Sequence, residues 1–202
     1  SGGGTVWPKA KLHSVITTAK ELSLKTHLDG ARLFNAALAT NCSIKEAASG
    51  FDSVTVCFSK GLGCAAGAIL AFDERHFDTV RRLKQVFGGS MRQSGILAAA
   101  CLYALEHHVE ELALDHDKAK RFAALAGALP AMQLEHKNPD SNMVFFAIDE
   151  QYLDSNRFLE RCLEHKLRFS RVGKNRFRAV MHRDIAFKEV DESVDRLGLV
   201  FA

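Results

Sequence analysis

Thr26-His27-Leu28-Asp29-Gly30 and, further along, Ser53-Val54-Thr55-Val56-Cys57-Phe58-Ser59-Lys60 are the stretches on which the fold turns. The first reads as a short strand that ends in an Asp-Gly turn signal. The second is apolar and rich in β-branched residues, the signature of a buried strand. Between them, from about Ala31 to Ala48, Leu33, Ala36, Ala37, Ile44 and Ala47 share an approximate helical face, and Gly50 closes the helix. Strand, helix and strand within about 35 residues is the size of a parallel βαβ unit, which favours an α/β sheet. Gly67 to Phe72 reads as a further strand, and Lys9 to Leu22 as a helix entered by Pro8 at its first helical position.

Downstream, the alanine- and leucine-rich run from Met91 to Leu129 is helical by composition and too long for one ordinary helix. A break is predicted near His107–Val109, with Pro130 as the exit. The rest predicts a strand over Met143–Ile148, a helix from about Asp154 to His165, strands over Arg168–Val172 and Arg176–Met181 joined by Gly173-Lys174-Asn175, and a last helix from about Phe187 to Leu197. That order suits a small α+β domain. The predicted organisation is therefore part of a large α/β domain with a mainly parallel sheet over 1–130, including long connecting helices, and a small α+β domain over 131–202.

Composition narrows the function classes. With 47% hydrophobic and 25% charged residues, the chain is an ordinary globular sequence, not a disordered or fibrous one. No apolar run approaches the roughly 18 residues of a membrane span, and no leader is expected at the SGGGTVWP start. A net charge of +3 is too mild to call for a polyanionic partner. The five cysteines are odd in number and scattered, without C-x-x-C, and read as buried thiols of a reducing, cytoplasmic compartment. His107, His108 and His116 fall on the helical run without a carboxylate partner motif, so solvated helix histidines are expected and no metal site. Lys166, Arg168, Arg171, Lys174, Arg176 and Arg178 make a basic ribbon interleaved with Phe169 and Phe177. It reads as a hairpin with its polar face in water, and nucleic acid is not expected as a partner.

Two strands end in chemically loaded turns. Asp29 closes the first and Lys60 follows the second, inside Ser59-Lys60-Gly61-Leu62-Gly63. In open parallel sheets, ligands sit beyond the carboxyl ends of the strands, so an acid and an amine 31 positions apart can meet in one pocket. A lysine directly after a buried strand borders a low-dielectric region, which favours a neutral, nucleophilic amine. Glycines beside it let a planar group approach the backbone. A nucleophilic lysine and an acid facing a heteroaromatic nitrogen are the two protein groups that pyridoxal phosphate needs. Taken singly, each residue also suits a plain surface turn. Ser59 could donate to a phosphate or cap the turn.

The wording of these segments carries a family resemblance. His27-Leu28-Asp29-Gly30-Ala31-Arg32 followed by Ser59-Lys60-Gly61-Leu62-Gly63 resembles the low-specificity threonine aldolases, pyridoxal-phosphate enzymes of the aspartate-aminotransferase-like fold. Gly3-Gly4-Thr5-Val6-Trp7-Pro8, Gly88-Gly89-Ser90-Met91-Arg92-Gln93 and Arg178-Ala179-Val180-Met181-His182 extend the resemblance in order along the chain. It implies that Lys60 is the lysine that binds the cofactor and Asp29 the acid beside its pyridine nitrogen. It implies Arg32 near the phenolic oxygen, Arg92 near the phosphate across a subunit interface, and Arg178 on the substrate's α-carboxylate. His27 and Gly30 would pack and turn rather than react. The implied reaction cleaves threonine-like β-hydroxy-α-amino acids to glycine and an aldehyde, in a homodimer or homotetramer.

The family also has a substantial segment ahead of the Gly-Gly-Thr-Val block, with a phosphate loop and two active-site histidines, that has no counterpart in these 202 residues. An open sheet edge, exposed apolar surface and weak cofactor binding are expected of the chain alone. Cys64-Ala65-Ala66-Gly67-Ala68 stands where the family commonly has Ala-Pro-Val-Gly-Ser, Gln85 where a basic residue is common, Ser90 where a third glycine stands, and Met181 where threonine is usual. Another lyase or an aminotransferase of the same fold, or a non-catalytic remnant acting as an interaction domain, are the alternative readings.

Overall fold

The computed structural model describes residues 2–202. Packing divides them into two compact units, one of residues 7–110 and one of residues 2–6 together with 111–202.

The unit of residues 7–110 runs α1 (Lys9–Glu21), β1 (His27–Gly30), α2 (Leu33–Ala39), α3 (Ile44–Ala47), β2 (Ser53–Cys57), β3 (Ala68–Phe72), a 3-10 turn (Glu74–His76), α4 (Phe77–Val86) and α5 (Gly95–His107). Its described sheet has the order β1-β2-β3. β1 and β2 are parallel, with His27 beside Ser53 and Asp29 beside Thr55, so the predicted βαβ unit is there. β3 joins β2 antiparallel. The helix expected over 31–48 is two. Thr40 Oγ1 turns back onto the Ala36 carbonyl at 2.8 Å, and Asn41 takes a φ of +49°, which ends α2. Ser43 then starts α3 with a reciprocal cap: its Oγ accepts from Glu46 N–H at 3.2 Å, and Glu46 Oε2 accepts from Ser43 N–H at 2.8 Å.

Asp52 ties the starts of β1 and β2 together. Its carboxylate accepts from Thr26 N–H at 2.8 Å, Thr26 Oγ1 at 3.0 Å and Lys25 Nζ at 3.0 Å. The Thr26 N–H bond leads in holding this carboxyl down at about 2. The sheet itself is thinly covered: Ile69 and Leu70 of β3 are exposed. So are Phe87 after α4 and Ile96, Leu102, Tyr103 and Leu105 of α5, and on α5 only Ala104 is buried.

The second unit runs α6 (Leu112–Ala126), β4 (Met132–Leu134), β5 (Met143–Ile148), α7 (Ser155–Glu164), β6 (Ser170–Gly173), β7 (Arg176–Val180) and α8 (Phe187–Phe201). Its described sheet has the order β4-β5-β7-β6, antiparallel throughout. Phe146 and Phe177 on the inner sheet face meet Phe158 of α7 and Phe122 and Ala126 of α6, with Val194 and Leu197 of α8, in one core. Phe158 lies 4.8 Å from Phe177 and 5.7 Å from Phe201, centroid to centroid. Asp154 opens α7 by accepting from the Asn156 and Arg157 N–H groups. On the other sheet face, a Cβ on Gly4 would come within 3.1 Å of Met143 and 3.2 Å of Phe145, and Ser141 Oγ donates to the Gly4 carbonyl at 2.6 Å.

Two features of this unit differ from the sequence expectation. α6 packs here rather than with residues 1–130, because Ala119, Phe122, Ala123 and Ala126 face the β5–β7 core. β4 is too short to show an alternating pattern and exists through its ladder to β5, Met132 opposite Ile148. The thiols also differ from expectation: Cys64 and Cys162 are buried, whereas Cys42, Cys57 and Cys101 are half-buried. Burial pushes the Cys162 thiol up to about 12.

Candidate active site

β1 and β2 are adjacent and parallel, so their carboxyl ends, with Asp29–Gly30 and the turn after Cys57, lie side by side. Residues two apart on a strand share a face. His27 and Asp29 therefore share one face of β1, next to Ser53 and Thr55 of β2. The His27 ring lies across that pair, Nδ1 at 2.8 Å from Ser53 Oγ and Nε2 at 3.3 Å from Thr55 Oγ1. It braces the face, in line with the packing role expected of it. Asp29 is exposed, and its Oδ1 accepts from Ala31 N–H at 3.1 Å, which fixes the carboxylate over the β1–α2 turn. Gly30 is required by a close approach: a Cβ there would sit 2.6 Å from the Thr55 carbonyl oxygen and 3.2 Å from Leu33 Cβ. Arg32, half-buried, stands at the N-terminal boundary of α2 on the same turn.

Lys60 is on a tight loop. Phe58 N–H donates to the Gly67 carbonyl at 3.0 Å, Cys64 N–H to the Phe58 carbonyl at 3.1 Å, and Gly63 N–H to the Lys60 carbonyl at 2.9 Å. Gly63 closes the turn with a φ of +73°, a conformation that glycine adopts without strain. Phe58 and Leu62 are buried as anchors, and Lys60 points its side chain to the exposed side. Among the described residues, the low-dielectric surroundings expected of the strand end are thus not supplied to this amine. The strand ends at Cys57, and Ser59 and Lys60 already stand out on the turn. Arg92 belongs to the same unit, in the exposed Gly88–Arg92 segment between α4 and α5.

Arg178 belongs to the other unit. It is half-buried on β7, in register with Phe145 of β5 and Ser170 of β6. Arg176, two residues earlier on the same face, packs its guanidinium 4.5 Å over the Phe145 ring and donates through Nη2 to Glu135 Oε2 at 2.9 Å. That arginine holds the Glu135 carboxyl below its ordinary range. The end of β7 is gripped by two buried side chains. Asn142 Nδ2 donates to the Met181 carbonyl at 2.7 Å, and Lys118 Nζ donates to the His182 carbonyl at 3.2 Å while paired with Asp115 at 3.0 Å.

Two arginines of the basic ribbon are held by local partners. Arg171 donates to Asn156 Oδ1 at 2.8 Å and to the Gly173 carbonyl, and Arg176 to Glu135. Of the helix histidines, His107 is exposed as expected, whereas His116 is buried and His108 is half-buried with Nδ1 at 2.7 Å from the Leu62 carbonyl oxygen. The Asp115–Lys118 pair had a sequence signal in its i,i+3 spacing; the His108 contact, 46 positions long, had none. Among the described residues, no group of three or more His, Cys, Asp or Glu is placed to hold a metal ion, and no helix is long and apolar enough to cross a membrane.

The sequence profile of the beta-eliminating lyases matches residues 1–149. The chain belongs to the beta-eliminating lyase family. Among curated relatives, the low specificity L-threonine aldolase of Escherichia coli (strain K12) is 40% identical over 148 residues, covering 73% of this chain and 44% of that protein. Low-specificity L-threonine aldolase 1 of Arabidopsis thaliana is 32% identical over 173 residues, covering 85% and 48%. The chain thus spans less than half the length of these curated relatives. Among solved structures, the Leishmania major threonine aldolase superposes with a TM-score of 0.77 at 20% identity, over 99% of this chain and 58% of that one. The α/β fold of that group of enzymes is the fold of this lyase-family chain.

Proposed function

We propose that the protein carrying this chain is a pyridoxal-phosphate-dependent lyase that cleaves β-hydroxy-α-amino acids of the threonine type to glycine and an aldehyde. The observation that carries the reading is the placement of an exposed acid, Asp29, and an exposed amine, Lys60, at or just beyond the carboxyl ends of adjacent parallel strands. Family membership and the names of the relatives support it. The donor set fits the cofactor: an amine able to bond its aldehyde carbon and an exposed carboxylate for its ring nitrogen. Pyridoxal phosphate, when bound, supplies a sink for the electrons of the bond that breaks.

Each residue then has one task. Lys60 would hold the cofactor covalently through its amine. Asp29, fixed by Ala31 N–H, keeps the ring nitrogen protonated. Arg32 serves the phenolic oxygen, and Arg92 reaches the phosphate from a neighbouring subunit. Arg178 grips the α-carboxylate with paired N–H donors, and the fixed carboxylate decides which bond at the α-carbon is broken. The protein works as a homodimer or homotetramer in the cytoplasm.

Borohydride reduction of the full polypeptide loaded with pyridoxal phosphate, followed by peptide mapping, tests the reading. Lys60 is the residue expected to carry the cofactor's mass, and threonine should give acetaldehyde. A label on a different lysine, or turnover only in the presence of an amino acceptor, would overturn it.

A further inference from the structure

The loop that carries Lys60 lies along one face of α5. Contacts along its length fasten it, and three of them are the tightest. Leu62 offers its carbonyl oxygen to His108 Nδ1 at 2.7 Å. Cys64 Sγ lies 3.5 Å from the Ala100 carbonyl oxygen. Gly67, with a φ of +129°, runs so close to Cys101 that a Cβ would come within 2.9 Å of its Sγ. Positions 100, 101, 104 and 108 share one helical face, and Ala104 among them is fully buried. Of the three contacts, only the first falls within two residues of Lys60, inside the Lys60–Gly63 turn.

His108 is itself held. Its backbone N–H closes α5 on the Ala104 carbonyl at 2.9 Å, and the Tyr103 ring meets its imidazole edge-on at 5.4 Å. A carbonyl oxygen can only accept, so Nδ1 carries the proton in this contact, and a neutral His108 must be the Nδ1–H tautomer. The bond does not compete with chemistry at Lys60, because it uses a main-chain oxygen and not the amine.

We propose that His108 is a positioning residue: through the Leu62 carbonyl it fixes the turn that aims the Lys60 amine. The proposal rests on the reading of Lys60 as the cofactor lysine. Leu62 is buried, so its carbonyl cannot simply turn to water if the imidazole leaves. The turn then relaxes and the amine loses its aim. A displacement of about 1 Å at a reacting group can cost about 100-fold in rate.

Three variants of the full polypeptide separate this role from bulk stability. Asparagine places an amide nitrogen where Nδ1 stands; glutamine places it where Nε2 stands; alanine offers neither. With pyridoxal phosphate, the rate at which Lys60 becomes fixed by borohydride should fall at least about tenfold in His108→Gln and His108→Ala, and recover to within about threefold in His108→Asn, following that sensitivity to position. Labelling is followed well below the thermal midpoint of each variant, so that loss of the buried bond in the Gln and Ala variants is read as a slower rate and not as unfolding. Long-range nitrogen–proton NMR of the unsubstituted protein should show Nδ1 of His108 protonated. Equal labelling rates in the Gln and Asn variants, or an Nε2–H tautomer, would overturn the positioning role while Lys60 keeps its own. A label on another lysine in the unsubstituted protein overturns both proposals. If the alanine variant does not fold, the Gln–Asn pair decides.

Discussion

Helices α5 and α6 follow one another in the chain, and both are rich in alanine and leucine, yet they end in opposite surroundings. α6 sets Ala119, Phe122, Ala123 and Ala126 as a stripe toward a core and leaves Lys120 and Arg121 outside. α5 is apolar nearly all round and buries one residue, Ala104. A helix with a single apolar stripe needs one neighbour, whereas a helix apolar on every side is built to be enclosed. Residues 7–110 enclose only the side of α5 that carries the Lys60 loop. The second unit, by contrast, closes its aromatic cluster with its own helices. Self-sufficiency therefore differs between the two halves of this chain, and with it the expected response to substitution.

The widest gap should come from truncating apolar side chains. Phe158→Ala, at a fully buried position among Phe146, Phe177 and Phe201, should cost about 3–5 kcal/mol in urea unfolding of the second unit. Ile96→Ala on α5, 79% exposed, should change the chain's stability by no more than about 0.5 kcal/mol. A large loss at Ile96 would show that α5 is covered after all, and would erase the contrast.

A smaller gap should appear at glycines. Gly30→Ala drives a methyl to 2.6 Å from the Thr55 carbonyl and should destabilise the first unit by about 1–3 kcal/mol, by overpacking. Gly198→Ala, inside α8 with nothing within 4 Å of the new methyl, should stabilise the second unit by about 0.5–1 kcal/mol. Denaturant midpoints of the two variants should move in opposite directions.

The finest distinction is in acid. Burial, reinforced by Lys120 and opposed by Asp115 and Asp117, holds His116 below its ordinary 6.5. The unfolded chain then takes up that proton first, so the second unit should begin to lose stability as pH falls through about 6.5. Asp52 and Asp73 of the first unit are held at about 2 against an ordinary 3.8, by the Thr26 N–H bond and the Arg75 side chain respectively. Their contribution is present above about pH 4 and lost between about 4 and 2. Urea midpoints at pH 7.5, 5.5 and 3 should show the second unit softening first, and His116→Gln should flatten its upper step. A first unit that softens above pH 5 would contradict the assignment.

What was legible in the sequence follows the reach of each interaction. β2, β5 and α7 could be read to within a residue or two, because a β-branched run, a continuous apolar run and an Asp cap are local signals. Asp29, Arg32 and Lys60 could be placed at one end of a sheet because a βαβ unit has one hand and one direction. The split between α2 and α3 was lost because a single Thr-Asn pair outweighed a helical face. β4, the allegiance of α6, and the grips of His108 and Lys118 were lost because each is decided by a partner far along the chain. The exposure of Lys60 was lost for a related reason: a strand end foretells direction, not cover.

Cys162 gives the second unit a clock. A thiol buried in the aromatic core and raised to about 12 does not react with an alkylating reagent while that core is shut. Each modified Cys162 therefore counts one opening of the core around Phe158. Half-buried Cys42, Cys57 and Cys101 are free to be modified on a faster scale. Alkylation time courses read peptide by peptide would then time the breathing of this half of the molecule in a crude extract, with no label, no cofactor and no assay of activity.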